Sequence, residues 1–360
     1  MRHFLPHRMK HTSKTPPCSK SLEEILSEYD YDIPTHLIAQ HPASPRDHAR
    51  LLVYNKESGE ISHDRFLHLS KYLPPKSVLV LNNTKVIPAR LCVSKETGGK
   101  VELLYVFRKG TQLCFLSNKK LFLKEKLFVN KKNFFIVKMQ NGKYWHCKPS
   151  FDPNKIIPFL EKYGKTPLPP YIKHSTLSST ESKKKYQSVF AKIAGSVAAP
   201  TASLHFTPRL LHALKTQGHS IVFVTLHVGL GTFAPLEDGN VRLGKLHEEW
   251  YSIDQKTDAI LRTAKKNRRL IIAVGTTATR TLESAYGKRK KLEGTTDLFI
   301  REGYMFNFID GLITNFHVPK SSLMMLVAAL VGRKTLMRLY KTALRKEYMF
   351  FSFGDGMLII

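Results

Sequence analysis

Apolar and polar positions divide the chain into segments with different periods. Between residues 33 and 94, short apolar runs alternate with polar turns. Leu51–Asn55 and Gly59–His63 read as a strand pair around a Lys-Glu-Ser turn, FLHLSKYL as a short helix stopped by Pro74-Pro75, and Ser77–Leu91 as strand, polar turn and strand. Residues 98–148 then carry β-type runs (VELLYVF, CFLSN, KLFVN, NFFIVKM, YWHCK) with turn residues at the spacing of a small all-β barrel or sandwich. Phe151–Pro170, with five prolines, reads as a return linker. Beyond it the text alternates strand and helix. Ile221–Val228, Leu270–Thr277 and Gly311–Phe316 suit a buried parallel sheet, and Pro208–Thr216, Asp258–Lys266, Ala278–Ala285 and Lys320–Leu330 suit the intervening helices. The expected fold class is α/β: a sandwich-like domain with a largely parallel sheet (residues 21–76 and 151–360), interrupted by an inserted small all-β, barrel-like domain (residues 77–150). Residues 1–20 have no periodicity and are expected to be a disordered extension, with order starting at a capping box formed by Ser21 and Glu24.

Composition supports more than one core. The chain has 360 residues, 42% of them apolar and 10% aromatic, whereas a single core stops growing near ~250–300 residues. A largely disordered chain is excluded. The longest apolar run, Leu323–Val331, is nine residues, about half of a membrane span. Cys18, Cys92, Cys114 and Cys147 stand far apart with no C-x-x-C pair. Neither a disulfide framework nor a zinc site is expected, and a reducing, cytoplasmic setting is. Charge changes the picture most. Lys+Arg 57 against Asp+Glu 28 gives a net +29, which predicts a polyanionic partner, nucleic acid being the commonest. Residues 109–148 concentrate ten Lys against one Glu, so the β insert is the expected binding face.

Candidate chemistry gathers where apolar runs end, since ligands of open α/β sheets bind beyond strand ends. In GSVAAPTASLHFTPRLL, Thr207-Pro208 is a helix cap, while His205 could face a cleft or be an interior group. LHVGLGTF places His227, Gly229 and Gly231 after an apolar strand. The glycine pair lacks the third glycine and the helix of a dinucleotide or methyltransferase loop. HEEWY joins His247 and Glu248 to Trp250, but without the second His of a zinc protease. VGTTATRTLES puts Thr276, Thr277 and Arg280 at a strand-to-helix turn with free N–H groups, and DGLITNFHVPKSS contributes Asp310, Asn315 and His317. No phosphate-loop, nucleophile-elbow or metal-ligand spacing occurs.

Taken together, IPTHLIAQHPASPRDHARLLV, VLVLNNTKVIPARL, GSVAAPTASLHFT, VTLHVGLGTF, HEEWY, VGTTATRTLES, DGLITNFHVPKSSLMMLV and FFSFGDGML, in that order from about Leu26 to Leu358, closely resemble the S-adenosylmethionine:tRNA ribosyltransferase-isomerase family of queuosine biosynthesis. Asn83, Lys85, Ser203 and Lys192-Ile193-Ala194 depart from the family's usual residues. The resemblance implies an α/β domain with a barrel insert. It also implies transfer and isomerisation of the ribosyl part of S-adenosylmethionine onto 7-aminomethyl-7-deazaguanine at the tRNA wobble position, giving epoxyqueuosine-tRNA, adenine and methionine. No prosthetic group and no metal is expected, because the tRNA amine is itself the nucleophile and S-adenosylmethionine is a co-substrate. A monomer without membrane association is expected.

The site assignments follow from position. Acid–base work is expected of His227, His247, Glu248 and His317. Binding of S-adenosylmethionine is expected of Gly229, Gly231, Thr276, Thr277, Arg280, Asp310 and Asn315. Binding of tRNA is expected of Arg46, Arg90, His205, Lys119, Lys120, Lys131 and Lys132. The rival readings are a non-catalytic basic tRNA-binding protein, which needs no clustered His and carboxylates, and a tRNA methyltransferase, which the failed glycine loop disfavours.

Overall fold

The structure, a computed structural model, describes residues 20–173, 176–229, 235–287 and 290–360. Four strands at its centre, Ser220–Leu226, Val78–Asn82, Ile271–Val274 and Gly311–Asn315, run parallel and side by side in that order. They are nearly continuous runs of Val, Ile, Leu and Ala because helices or segments cover both faces. Five further strands extend the sheet to nine: Lys245–Ser252 and Glu293–Leu298 on one side, Gly356–Ile359, Arg50–Tyr54 and Ile61–Arg65 on the other. The sheet is therefore mixed: the central strands pair parallel, and the flanking pairs are antiparallel except that Arg50–Tyr54 runs parallel to Gly356–Ile359. Helix Thr276–Ala285 is buried over most of its length, helix Ser322–Val331 along its middle from Met324 to Ala328, and helix Arg333–Arg345 packs through Leu336, Leu339, Tyr340 and Ala343.

The inserted domain is a closed six-stranded barrel built from Arg90–Lys95, Lys100–Lys109, Gln112–Ser117, Lys126–Phe128, Phe134–Asn141 and Tyr144–Pro149. Alternate residues such as Val101, Leu103, Tyr105 and Leu113, Phe115 fill its core. Two expectations change here. The segment from residue 77 does not open the barrel, because Val78–Asn82 is a central strand of the large sheet, and the first barrel strand begins at Arg90. Phe151–Pro170 is more than a linker, since its helix Ile156–Tyr163 buries Ile156, Phe159 and Leu160 against the barrel core. Backbone bonds between Arg90 and Lys165, at 3.1 and 2.8 Å, tie the strand that enters the barrel to the segment that leaves it.

The local signals recur as geometry. Ser21 and Glu24 form the capping box, and Thr207 caps the helix that Pro208 begins. The extension expected over residues 1–20 falls, up to residue 19, outside the described residues.

Candidate active site

A cleft of about 590 Å³, open solvent included, lies at the carboxyl ends of the central parallel strands. Thr276 and Thr277 line one side, Thr314, Asn315 and His317 another, and Tyr171, Phe351 and Ser352 close it. Its position is set by chain direction, because parallel strands release their following loops at one edge. Gly275 makes the turn from strand Ile271–Val274 into helix Thr276–Ala285 at a φ of 89°, a conformation that suits glycine. No side chain caps that helix, so first-turn N–H groups and the positive end of its dipole are left beside the cleft. Asn82 braces the floor: its Nδ2 donates to the Leu226 carbonyl at 3.0 Å and to Thr277 Oγ1 at 3.2 Å.

His317 is the histidine the cleft presents. Its backbone is clamped, N–H donating to the Tyr340 hydroxyl at 2.8 Å and carbonyl accepting from the Tyr31 hydroxyl at 2.5 Å. Nε2 shares a hydrogen bond with Thr314 Oγ1 at 2.8 Å, and Nδ1 carries none among the described residues. Burial pushes the imidazole down to about 3, so it is neutral at physiological pH. His205 is equally buried and also pushed down to about 3, by burial and then by the Arg46 charge. It stacks on Phe66 at 4.0 Å between ring centroids, and its Nε2 meets Asn315 Nδ2 at 3.3 Å. His205 thus supports a wall residue of the cleft and is not exposed to a macromolecule.

His227 stands just past the end of strand Ser220–Leu226. Its ring stacks on Trp250 at 4.9 Å, its Nδ1 shares a hydrogen bond with Thr84 Oγ1 at 2.9 Å, and burial lowers its pKa. The ring packs so closely on Gly195 that a Cβ there would come within 2.6 Å of Nε2. The next residue, Val228, lines the cleft.

In the HEEWY stretch the buried, paired carboxylate is Glu249, not Glu248. The stretch is a strand, so adjacent residues face opposite ways. Glu248 is exposed, whereas Glu249 is buried. Glu249 Oε1 accepts the Gly229 N–H at 2.7 Å, and Oε2 pairs with Arg280 Nη1. Arg280 also donates to the carbonyls of Leu298 and Thr296. Arg280 is thus held in a buried ion pair with Glu249, which in turn holds the Gly229 N–H. Tyr251 shares the buried face, and that parity was the signal in the sequence that could have singled out Glu249. His247 turns instead toward the barrel, its Nε2 lying 3.5 Å from Lys143 Nζ on the hairpin between the last two barrel strands.

Asp310, expected to bind S-adenosylmethionine, and Arg46 and Arg90, expected to bind tRNA, all stand outside the cleft lining. Asp310 precedes strand Gly311–Asn315 and so stands at the opposite edge of the sheet, where its carboxylate takes Lys265 Nζ at 2.9 Å and the Ile271 N–H at 2.7 Å. Arg46 donates to the carbonyls of Lys184, Lys185 and Gln187 at the end of helix Ser179–Lys185. Arg90 pairs with Glu102 at 2.9 Å and reaches the Leu168 carbonyl where the barrel joins the sheet domain. Lys119, Lys120, Lys131 and Lys132 are exposed on the barrel. Gly231 lies outside the described residues. Cleft residues not singled out from sequence, Tyr171, Phe351 and Ser352, come from loops whose return to the strand ends is a tertiary event.

Residues 26–359 match the family described as queuosine biosynthesis protein. The chain belongs to this family. It is 43% identical over 338 residues to the S-adenosylmethionine:tRNA ribosyltransferase-isomerase of a Sulfurihydrogenibium species, covering 93% of this chain and 99% of that one. It is 44% identical over 346 residues to the protein of the same name from Carboxydothermus hydrogenoformans, with the same coverage. The crystal structure of the S-adenosylmethionine tRNA ribosyltransferase of Thermotoga maritima resembles it with a TM-score of 0.54 at 31% identity, over 92% of this chain and 100% of that one. This queuosine-family chain holds no group of three or more metal-ligating side chains among the described residues, nor a helix long and apolar enough to cross a membrane.

Proposed function

We propose that this protein is a tRNA-modifying transferase that moves the ribosyl part of S-adenosylmethionine onto 7-aminomethyl-7-deazaguanine at the tRNA wobble position and isomerises it, releasing adenine and methionine and leaving epoxyqueuosine-tRNA. Family membership supports the reaction class. The observation that carries the reading within this chain is the cleft itself, where a neutral, clamped histidine and an uncapped helix N-terminus line one space.

The chemistry needs both. A sulfonium acidifies the adjacent ribose 5′-carbon, and a base must take a proton there. His317 is kept neutral, with Nε2 engaged by Thr314, so Nδ1 is the nitrogen available for that proton. The resulting imidazolium is strongly acidic at so buried a site and suits protonation of the departing adenine. The tRNA amine forms the new C–N bond, while the N-glycosidic bond to adenine and the C–S bond to methionine break. Alkoxide charge preceding epoxide closure suits the first-turn N–H groups at Thr276 and Thr277. Asn315 and Gly229 line or anchor the binding space, and His227 is the second proton carrier. Lys119, Lys120, Lys131 and Lys132 would neutralise tRNA phosphates.

Product analysis tests this. The protein, incubated with S-adenosylmethionine and tRNA carrying the 7-aminomethyl-7-deazaguanine, is expected to release free adenine. S-Adenosylhomocysteine in its place would indicate a methyltransferase, and neither product a non-catalytic binder.

A further inference from the structure

The barrel turn Leu121–Glu125 is tightly built, yet it holds two large apolar side chains in water. Leu121 is buried in the barrel core, while Phe122 and Leu123 are 60% and 64% exposed. Phe122 N–H donates to Glu125 Oε2 at 3.1 Å, Glu125 N–H to the Phe122 carbonyl at 3.2 Å, and Lys124 N–H to the Val137 carbonyl at 2.8 Å. A half-buried ion pair with Lys95, at 2.9 Å, fixes Glu125. Lys124 adopts a φ of 66°, a left-handed conformation unusual for a residue with a side chain. Leu121 anchors the turn in the core, so folding does not require its next two residues to be apolar.

The surroundings say what could cover them. Lys95 Nζ and Lys120 Nζ lie 5.4 and 6.0 Å from the Phe122 ring centroid. Lys119, Lys124 and Lys126 lie within four residues of Phe122 in the chain. The nearby carboxylates are engaged, Glu125 by Lys95 and Glu96 by Lys126 at 3.8 Å. An exposed ring among ammonium groups is the combination by which proteins hold unpaired nucleotides: bases stack on the ring while the cations follow the phosphates.

We propose that Phe122, backed by Leu123, is a stacking platform for an unpaired base of the tRNA, distinct from the base that reacts. The inference rests on the reading of tRNA as substrate. It adds a contact of a different kind from the lysines, and the two respond differently to salt.

The test uses the full chain and an unmodified tRNA transcript. F122A is expected to weaken binding about 5- to 10-fold while keeping the parent's dependence on salt, because stacking releases no counterions. K119E/K120E/K131E/K132E is expected to weaken binding and flatten that dependence. F122W is expected to keep affinity and to show tRNA quenching of fluorescence beyond that of Trp145 and Trp250 in the parent. Parent-like binding by F122A, together with no added quenching in F122W, would overturn the platform alone. So would loss of binding by F122A to phosphatidylglycerol vesicles with tRNA binding intact, since that would make the turn a membrane contact. A parent protein that neither binds the transcript nor releases adenine with modified tRNA would overturn the substrate reading, and the platform with it.

Discussion

His205 and His317 are both buried and both neutral, yet only His317 lines the cleft. The shared burial has a thermodynamic consequence. Each imidazole titrates near 6.5 when unfolded and near 3 when folded, so below pH 6.5 the unfolded chain binds more protons than the folded one. Stability is expected to be full above about pH 6.5 and to fall as pH drops toward 3, by a few kcal/mol for each histidine. Urea midpoints measured between about pH 7.5 and 4.5 should show this slope, and H205N or H317Q should reduce it. A level profile would contradict the neutral assignment. The functional difference is separate: H317Q should lower turnover ~10²–10⁴-fold with tRNA binding retained. His317 could be picked out because it follows a strand and precedes a helix. Asp310 shares that stretch of sequence but stands outside the site, because the residue that opens a parallel strand lies at the far edge of the sheet.

At the level of elements, hydrophobic runs predicted the three strands Ser220–Leu226, Ile271–Val274 and Gly311–Asn315, along with their helices, to within a few residues. Strand parity and pairing were harder to read. Read as a string, HEEWY is a cluster of functional groups. As a strand, it sends Glu249 inward and Glu248 into water. Val78–Asn82 belongs to the large sheet because it pairs with strands far later in the chain, which no local pattern displays. Gly195 is a comparable case. Its lack of a side chain is explained by the His227 ring lying against its backbone. G195A should displace that ring and reduce turnover on the order of 10²-fold, because small misplacements of catalytic groups are costly. The expected signature is a lowered kcat with KM for S-adenosylmethionine nearly unchanged. Parent-like turnover would mean that His227 only holds Thr84 and Trp250 together. E249Q should be worse than E248Q in stability, since it breaks a buried ion pair, a loss worth about 3–5 kcal/mol.

On the scale of the molecule, the protein joins two devices with different tasks. The sheet domain holds a partly enclosed cleft at its strand ends, and residues 109–148 of the barrel carry ten Lys against one Glu. The barrel hairpin meets the sheet domain where Lys143 approaches His247, on the strand that also supplies Glu249. This arrangement suits a small sulfonium donor held in the cleft and a large RNA held across the barrel. The charge pointed to the RNA and the ordered motifs to the family, while the cleft's composition required the folded chain. The central claim is that the ribosyl group, and not the methyl group, leaves S-adenosylmethionine for the tRNA. It is tested most directly by supplying S-adenosylmethionine labelled either in the ribose carbons or in the methyl carbon, then recovering the tRNA. The ribose label should appear in the wobble nucleoside, with the methyl label remaining in free methionine. Methyl label in the tRNA, with the ribose label left in adenosylhomocysteine, would contradict the account.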